Sequence, residues 1–303
     1  MNRHETDLIR ILDPGPSSGI FFSFESLIMG KMEWICYNGE FRRAGDALLL
    51  TSNRSFKWGD GLFETMKVFK GEILLKSLHL ERLRSGLSMI GINFPEGAFE
   101  LPEKNILETC LKNKCSALAR IRLAVFREEN NLFGFVIEAR PLDTEANQWN
   151  EKGFLIDIYP LARKSMDGFS NLKSANYLPY VMAGLYATEN GLDEALVLNH
   201  DNHICDSSKA NIFLVKKNEV YTPALNQGCI NGVMRRYIID HLHQHHFTIH
   251  QQAIDEKSLV EADEVFLTNA IYGIRWVRSF RDKNYVSDFT RTLFKTTFSR
   301  FGF

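Results

Sequence analysis

The sequence lacks cysteine pairs at CxxC spacing, and its five cysteines, an odd number, are scattered along 303 residues. Closely spaced cysteines mark structural zinc sites, and paired ones mark the disulfide frameworks of secreted proteins. Their absence argues against both kinds of site and favours a reducing compartment. We therefore expect a cytoplasmic protein without a structural metal.

The sequence also lacks a long apolar run and an excess of charge of either sign. The best apolar segment, Gly19–Phe24, is followed at once by Glu25, and Glu5 and Asp7 upstream argue against a signal peptide. The net charge of −1 provides no global field to attract nucleic acid or an anionic membrane. We expect neither as a partner. The 45% of apolar residues is typical of an ordinary folded protein.

The length favours two domains. A cluster of glycine, proline and serine at Leu12–Gly19 separates a leader, residues 1–31, whose role the sequence does not indicate. Residues 32–145 are predicted to form a small α/β domain. The polar stretch Pro141–Gly153 is the predicted linker, and residues 146–303 form the second domain. The fold class predicted is α/β (α+β).

Hydrophobic periodicity places the main elements of both domains. In the first, we predict strands at Gly61–Phe69, Ala119–Phe126 and Phe133–Arg140, and helices from a Ser77 N-cap and over Pro102–Lys112. In the second, we predict strands at Phe154–Pro160, Glu194–Leu198, Asn211–Val215, Val220–Tyr221 and Asp263–Thr268, and helices after Pro179 and over Val233–His243.

Lys173 is the first candidate for chemistry. It lies between the apolar strand at Phe154 and the helix after Pro179. The simpler interpretation is a solvated lysine at a strand end. A partly desolvated lysine, however, loses its proton more readily and becomes a nucleophile toward carbonyl groups.

Three further features suit an anionic aromatic ligand. Asn231-Gly232 opens a helix, whose free N–H groups attract phosphate. Asp206 has a carboxylate between two apolar segments, either capping a turn or holding a ring nitrogen protonated. Arg82 lies on an amphipathic helix and supplies either a cation to the site or one half of a surface ion pair with Glu81 or Glu64. An amine, an anion site, a carboxylate and a cation together match the needs of pyridoxal phosphate.

The chain resembles the class IV aminotransferases, the fold-type IV pyridoxal phosphate enzymes. These include branched-chain and D-amino acid aminotransferases and 4-amino-4-deoxychorismate lyase. The resemblance runs from about Trp34 to Val277. It rests on the segments Phe56–Thr65, His79–Leu83, Lys173 with Asn176-Tyr177-Leu178, Asp193–Leu198, Ser208–Phe213, Tyr221–Pro223 and Ala262–Phe266, in family order and spacing.

The resemblance implies a small N-terminal α/β domain, a larger C-terminal domain with a mainly antiparallel sheet or barrel, and a homodimer. It implies that Lys173 forms the internal aldimine with pyridoxal 5'-phosphate and then moves protons during catalysis. Its other implied cofactor contacts are Arg82, Tyr177, Asp206, Val233, Met234, Asn269 and Ala270, and the implied substrate contacts are Phe63 and Arg127.

Two of these positions depart from the family pattern. Asp206 falls where the family usually has a longer glutamate, so its pairing with the ring nitrogen needs a small shift or a bridging water. Ala270 falls where the branched-chain enzymes place a threonine on the phosphate. One hydroxyl contact is therefore missing, and Asn269 is a candidate to compensate.

The sequence leaves the reaction open between two outcomes. Tyr177 favours an aminotransferase, because it matches the tyrosine near the cofactor's phenolic oxygen in the branched-chain enzymes. The turn Gly228–Arg235 resembles that of the lyase instead, and Glu128-Glu129 after Arg127 suits an acidic substrate poorly. We favour transamination between an amino acid and a 2-oxo acid. A non-catalytic protein that binds the cofactor is a remote third interpretation.

A run of histidines closes the list of candidates. His241 and His245 share one helical face, and His246 and His250 have the same spacing. A zinc site needs further ligands, and none is obvious. We interpret the run as a polar helix end and predict no metal site.

Overall fold

The structure is a computed structural model that describes residues 33–46, 51–93, 100–128 and 132–298. The predicted leader, residues 1–31, lies outside the described residues. No helix in the described ranges is long and apolar enough to cross a membrane.

The first sheet has six strands, and all of its pairs are antiparallel. Its order is β2-β1-β6-β5-β3-β4. The strands are β1 (Trp34–Tyr37), β2 (Glu40–Arg43), β3 (Gly61–Phe69), β4 (Glu72–Ile73), β5 (Leu118–Arg127) and β6 (Phe133–Pro141).

Three helices accompany this sheet: α1 (Arg54–Trp58), α2 (Lys76–Met89) and α3 (Glu100–Lys112). Fully buried and partly buried side chains alternate along β5, which gives the sheet two different faces. Ile121 and Leu123 are fully buried in a core with Leu83 and Leu87 of α2. Because successive side chains of a strand point to opposite faces, Arg120 lies on the other face, toward the second sheet.

The second sheet has nine strands, of mixed direction with a majority of antiparallel pairs. Its order is β12-β11-β10-β13-β14-β7-β8-β9, and β15 pairs with β14. The strands are β7 (Phe154–Lys164), β8 (Glu194–Asn199), β9 (Ile204–Ser207), β10 (Asn211–Lys216), β11 (Glu219–Pro223), β12 (Ile249–Gln252), β13 (Glu264–Asn269), β14 (Gly273–Phe280) and β15 (Lys283–Asn284).

Four helices surround this sheet: α4 (Leu178–Glu189), α5 (Val233–Gln244), α6 (Glu256–Glu261) and α7 (Asp288–Phe298). The sheet curls, because a tight turn closed by the bond from Ser207 N to the Ala210 carbonyl joins β9 directly to β10. Strands from opposite ends of the sheet order are thereby brought together, and their inner side chains enclose a space.

Two backbone hydrogen bonds join the two halves where β3 begins. Phe63 N donates to the Lys173 carbonyl at 2.9 Å, and Ala175 N donates to the Gly61 carbonyl at 2.9 Å. The segment that carries Lys173 is therefore held against the first sheet, with its lysine between the two sheets.

One predicted helix start is wrong. The helix α2 begins at Lys76 and not after a Ser77 N-cap. The cap position is Leu75, which has φ 54° and makes no side-chain capping bond. The reason is that β4 runs into the helix with almost no intervening chain, so the turn is made by a left-handed residue rather than by a capping side chain.

Candidate active site

A cavity of about 420 Å³ lies between the two sheets. The first sheet contributes residues of β3 and β5, and the second contributes the inner ends of β8, β9, β10, β13 and β14. Among the predicted site residues, those that line it are Phe63, Arg82, Lys173, Tyr177, Asp206, Val233, Met234, Asn269 and Ala270. The structure thus brings together nine positions from six separate segments of the sequence.

Lys173 supplies a partly buried amine to this cavity. Its Nζ lies 4.5 Å from the centre of the Phe63 ring and 5.2 Å from that of Tyr177. Burial, together with the positive charge of Arg82, lowers the pKa of Lys173 to about 7, against the opposing effect of Glu64 and Asp206. Near neutral pH a large fraction of this amine is therefore uncharged and nucleophilic.

Tyr177 is placed by the start of α4, where it occupies the N-cap position. Its ring meets Phe63 edge-on at 5.2 Å between centroids and stacks on Tyr180 at 4.5 Å. Burial, followed by the negative charge of Asp206, raises the pKa of Tyr177. The phenol consequently keeps its proton at neutral pH and can donate a hydrogen bond.

Asp206 lies on β9 and is 2% exposed. Its Oδ2 accepts hydrogen bonds from the Tyr180 hydroxyl at 2.7 Å and from Ile230 N at 2.9 Å, and its Oδ1 accepts one from Asn211 Nδ2 at 2.7 Å. Lys164 Nζ is 3.6 Å from Oδ2. The alternative that Asp206 caps its own turn is therefore wrong, because both oxygens face groups of other elements.

Arg82 is held by a buried network on its own side of the cavity. Its Nε and Nη2 donate to the two oxygens of Glu64 at 2.7 and 2.5 Å, and its Nη1 donates to the Asn231 carbonyl at 3.0 Å. Glu64 Oε2 also contacts His79 Nδ1 at 2.7 Å. Arg82 therefore forms the ion pair with Glu64 that the sequence suggested, but the pair is buried rather than on the surface. It orients the guanidinium toward the start of α5.

The start of α5 lies beside Arg82 in the cavity wall. Gly232 occupies its N-cap position, and Val233 and Met234 are its first two residues. A Cβ on Gly232 would lie 1.8 Å from Asn211 Oδ1, so only glycine fits there. The N–H groups at the beginning of a helix have no partner within it and create a positive potential, which suits an anion.

Asn269 is the last residue of β13 and Ala270 follows it, at the same end of the cavity. Asn269 Oδ1 accepts hydrogen bonds from the backbone N–H groups of Ile271 and Tyr272 at 3.0 and 2.9 Å. Its carbonyl oxygen is therefore occupied in closing the turn before β14. Only its Nδ2 group is left to donate a hydrogen bond in place of the hydroxyl that Ala270 lacks.

Arg127 is not part of the cavity lining among the described residues. It donates to Asp60 at 2.9 Å and to the carbonyls of Ile90 and Gly91, at the end of α2, at 2.6 and 3.0 Å. The predicted substrate clamp at Arg127 therefore finds no support in this geometry, because its guanidinium joins the end of a helix to the start of β3.

Several cavity residues escaped the sequence analysis, notably Arg120, Tyr180 and Arg275. A signal existed for two of them. Arg120 follows from the alternation of β5 with its apolar neighbours. Tyr180 lies three residues after Tyr177, on the same helical face. Arg275 could not be identified in this way, because the sequence analysis predicts no strand at its position and therefore assigns it no face.

The histidine run does not assemble a metal site in the described part of the chain. The rings of His241 and His245 are 4.5 Å apart on α5, and His250 pairs with Glu219 at 3.2 Å. These contacts fit the interpretation of a polar helix end.

Comparison with known proteins matches residues 61–280 to the model of the amino-transferase class IV family. The chain belongs to this family. Class IV aminotransferases use pyridoxal 5'-phosphate as their cofactor. The chain is therefore a pyridoxal phosphate enzyme of fold-type IV.

Individual relatives within the family have different activities. The chain is 27% identical to the aminodeoxychorismate lyase of Bacillus subtilis, over 84% of this chain and 88% of that protein. It is 27% identical to a putative branched-chain-amino-acid aminotransferase of Methanocaldococcus jannaschii, over 77% of this chain and 83% of that protein. The solved structure of the branched-chain amino acid aminotransferase from Escherichia coli superposes with a TM-score of 0.76 at 21% identity, over 89% of this chain and 94% of its own.

The cavity of this class IV chain suits the cofactor chemically. A partly buried amine, a buried carboxylate and a helix start with a neighbouring arginine are the groups that an aldehyde, a ring nitrogen and a phosphate require. A Cβ on Gly232 would collide with Asn211 Oδ1, so glycine keeps the start of α5 in its place beside Arg82.

Proposed function

We propose that the protein is an aminotransferase that moves an amino group from an amino acid to a 2-oxo acid. The observation that carries this proposal is Lys173, a partly buried amine between the rings of Phe63 and Tyr177 with a pKa of about 7. Such an amine is available to a carbonyl carbon at neutral pH.

The cofactor contacts proposed for this chain follow the two ends of the cavity. Arg82 and the N–H groups of Val233 and Met234 bind the phosphate, with Asn269 and Ala270 beside them. At the other end, the negative charge of Asp206 would keep the ring nitrogen protonated, and the hydroxyl of Tyr177 would face the phenolic oxygen. When bound, pyridoxal phosphate supplies an aldehyde and an aromatic ring that takes up electrons released at the substrate's α-carbon.

The residues around Lys173 determine what this amine can do. With pyridoxal phosphate bound, Lys173 would hold its aldehyde group, and the uncharged Nζ would take a proton from the substrate's α-carbon. Phe63 and Tyr177 enclose the amine from two sides and limit the access of water. Phe63 is thereby also placed to contact the substrate.

Transamination is favoured over elimination by the position of Tyr177. The centre of its ring lies 5.2 Å from Lys173 Nζ, whereas the lyase-like turn at Gly228–Arg235 contributes mainly backbone and the start of α5. The second candidate is 4-amino-4-deoxychorismate lyase, which eliminates pyruvate and gives 4-aminobenzoate. The 27% identity to the Bacillus subtilis lyase is the observation that favours it.

We further propose a homodimer in the cytoplasm. The exposed face of α4 carries Leu178, Val181, Met182 and Leu185 at helical spacing. A second copy of the chain would cover it. All five cysteines are buried free thiols, as suits a reducing compartment.

The visible absorbance spectrum of the protein loaded with pyridoxal phosphate tests this function. We expect a visible band that one amino acid, among L-branched-chain amino acids, D-alanine and L-glutamate, converts to the pyridoxamine form. Lys173→Ala should abolish the band, and Lys209→Ala, a lysine of the same cavity that is 47% exposed, should retain it. A band that persists with every amino acid, while aminodeoxychorismate releases pyruvate, would establish the lyase instead.

A further inference from the structure

Tyr180 is a polar residue of the cavity to which the family resemblance gives no role. It lies one helical turn after Tyr177 on α4, is 5% exposed and lines the cavity. Its ring stacks on Tyr177 at 4.5 Å with 28° between the planes. The two phenols therefore present a continuous aromatic wall, and the hydroxyl of the second one reaches Asp206.

The hydroxyl of Tyr180 is fixed by that carboxylate. It donates to Asp206 Oδ2 at 2.7 Å. Burial, followed by the negative charge of Asp206, raises the pKa of Tyr180, so the phenol keeps its proton and remains a donor. A phenol that donates one hydrogen bond still has lone pairs with which to accept another.

Asp206 itself has little capacity left for a ligand. Its Oδ2 already accepts from Tyr180 and Ile230 N, and it faces the Lys164 ammonium at 3.6 Å. Its Oδ1 is engaged by Asn211 Nδ2 at 2.7 Å. A carboxylate oxygen accepts about two hydrogen bonds, so Oδ2 is fully used and Oδ1 is half used.

Lys164 supports the same pair from β7. Its Nζ lies 5.1 Å from the centre of the Tyr180 ring and has no hydrogen-bond partner among the described residues. Its charge therefore acts on Asp206 through space rather than through a bond. Groups linked by consecutive buried hydrogen bonds polarise one another. Because the Tyr180 hydroxyl donates to a carboxylate, its oxygen becomes a stronger hydrogen-bond acceptor.

We propose that Tyr180 and Asp206 act as one unit, in which the Tyr180 oxygen accepts the hydrogen bond from the cofactor's protonated ring nitrogen and Asp206 holds that hydroxyl in place. This inference rests on the proposed function, because it needs pyridoxal phosphate in the cavity. In this arrangement Tyr180, rather than Asp206, contacts the ring nitrogen directly. The shorter side chain of Asp206 then needs neither a backbone shift nor a bridging water.

The test compares Tyr180→Phe with a matched control on the same helix, Tyr186→Phe, whose ring packs against Tyr159 and lies outside the cavity lining. Three quantities are measured for each variant: the dissociation constant for pyridoxal phosphate, the pH dependence of the bound cofactor's absorbance and the melting temperature of the apoprotein. We expect Tyr180→Phe to weaken cofactor binding about tenfold, near the loss of one hydrogen bond to a charged group, and to shift the absorbance midpoint to lower pH. The control should change neither quantity.

A rescue experiment separates this role from simple packing. In the Tyr180→Phe background, Asp206→Glu should restore most of the affinity, because the longer side chain reaches further into the cavity. This double variant also decides the case if Tyr180→Phe alone folds poorly. Affinity and midpoint unchanged in Tyr180→Phe, or no recovery in the double variant, would overturn the role of Tyr180. A wild-type protein that binds no pyridoxal phosphate would instead overturn the proposed function itself.

Discussion

Glu64 is the buried carboxylate that balances the positive charge of Arg82. It is 2% exposed and bonds to both Arg82 and His79. We expect Glu64→Gln to lower the free energy of unfolding of the apoprotein by about 3 kcal/mol, because breaking a buried ion pair leaves the remaining charge uncompensated. Chemical denaturation measures this loss. Glu81→Gln, which removes an exposed pair with Arg236, is the control and should cost under about 1 kcal/mol.

The pH dependence of stability checks the same assignment. Burial alone would raise the pKa of Glu64, but Arg82 and His79 lower it from 4.5 to about 2. A carboxylate with a lowered pKa stabilises the fold above its ordinary value, and this contribution is lost as pH falls from 4.5 through 2. The difference in stability between wild type and Glu64→Gln should therefore shrink over that window. A difference that stays constant down to pH 2 would contradict the assignment.

Single residues also show where sequence reasoning succeeds and where it stops. Lys173 was predictable, because its apolar flanks signalled burial. Glu64 appeared as a possible partner of Arg82, but the sequence could not show that the pair is buried. Arg127 stays a prediction as a substrate contact, but its hydrogen bonds could not be foreseen, because the carbonyls of Ile90 and Gly91 that it binds belong to a helix end whose position depends on the tertiary fold.

At the scale of elements, Gly232 determines how α5 can begin. Its φ of −67° is open to any residue, so the reason for glycine is space and not backbone freedom. An added Cβ would meet Asn211 Oδ1 at 1.8 Å, and Asn211 is held by Asp206 and the Ile230 carbonyl. We expect Gly232→Ala to destabilise the protein by about 1–3 kcal/mol and to weaken pyridoxal phosphate binding, as measured by thermal unfolding and cofactor titration.

Gly168→Ala is the control for this substitution, because nothing lies within 4 Å of the position of its Cβ. It should leave both measurements unchanged. Wild-type affinity in Gly232→Ala would show that the start of α5 tolerates a shift and does not bind the phosphate closely.

Elements with a strong period were the predictable ones. The helices α4 and α5 and the strands β3, β5 and β6 lie within a few residues of their predicted positions. The strands β9 and β12 were missed, because four residues each are too few to show a period. The cavity itself was beyond the sequence, since it arises from the curl of the second sheet and the packing of the first against it.

At the scale of the whole molecule, α4 connects the site to the outer surface. Its first residues place Tyr177 and Tyr180 in the cavity, and its outer face exposes Leu178, Val181 and Leu185 by 67%, 50% and 38%. Monomeric proteins rarely expose a contiguous apolar patch of this kind. If a second copy covers this face, as we propose, dimerisation also fixes the helix that carries the two phenols.

A charge placed on this face separates assembly from folding. We expect Val181→Glu combined with Leu185→Glu to convert the dimer to a monomer in sedimentation equilibrium, because burying two carboxylates in an apolar interface is costly. The affinity for pyridoxal phosphate should fall in parallel, since α4 loses its outer support. Val260→Glu, at a position on α6 that is 50% exposed, is the matched control and should remain dimeric. A double variant that stays dimeric with wild-type affinity would place the interface elsewhere and leave α4 dependent only on its packing against β7 and β8.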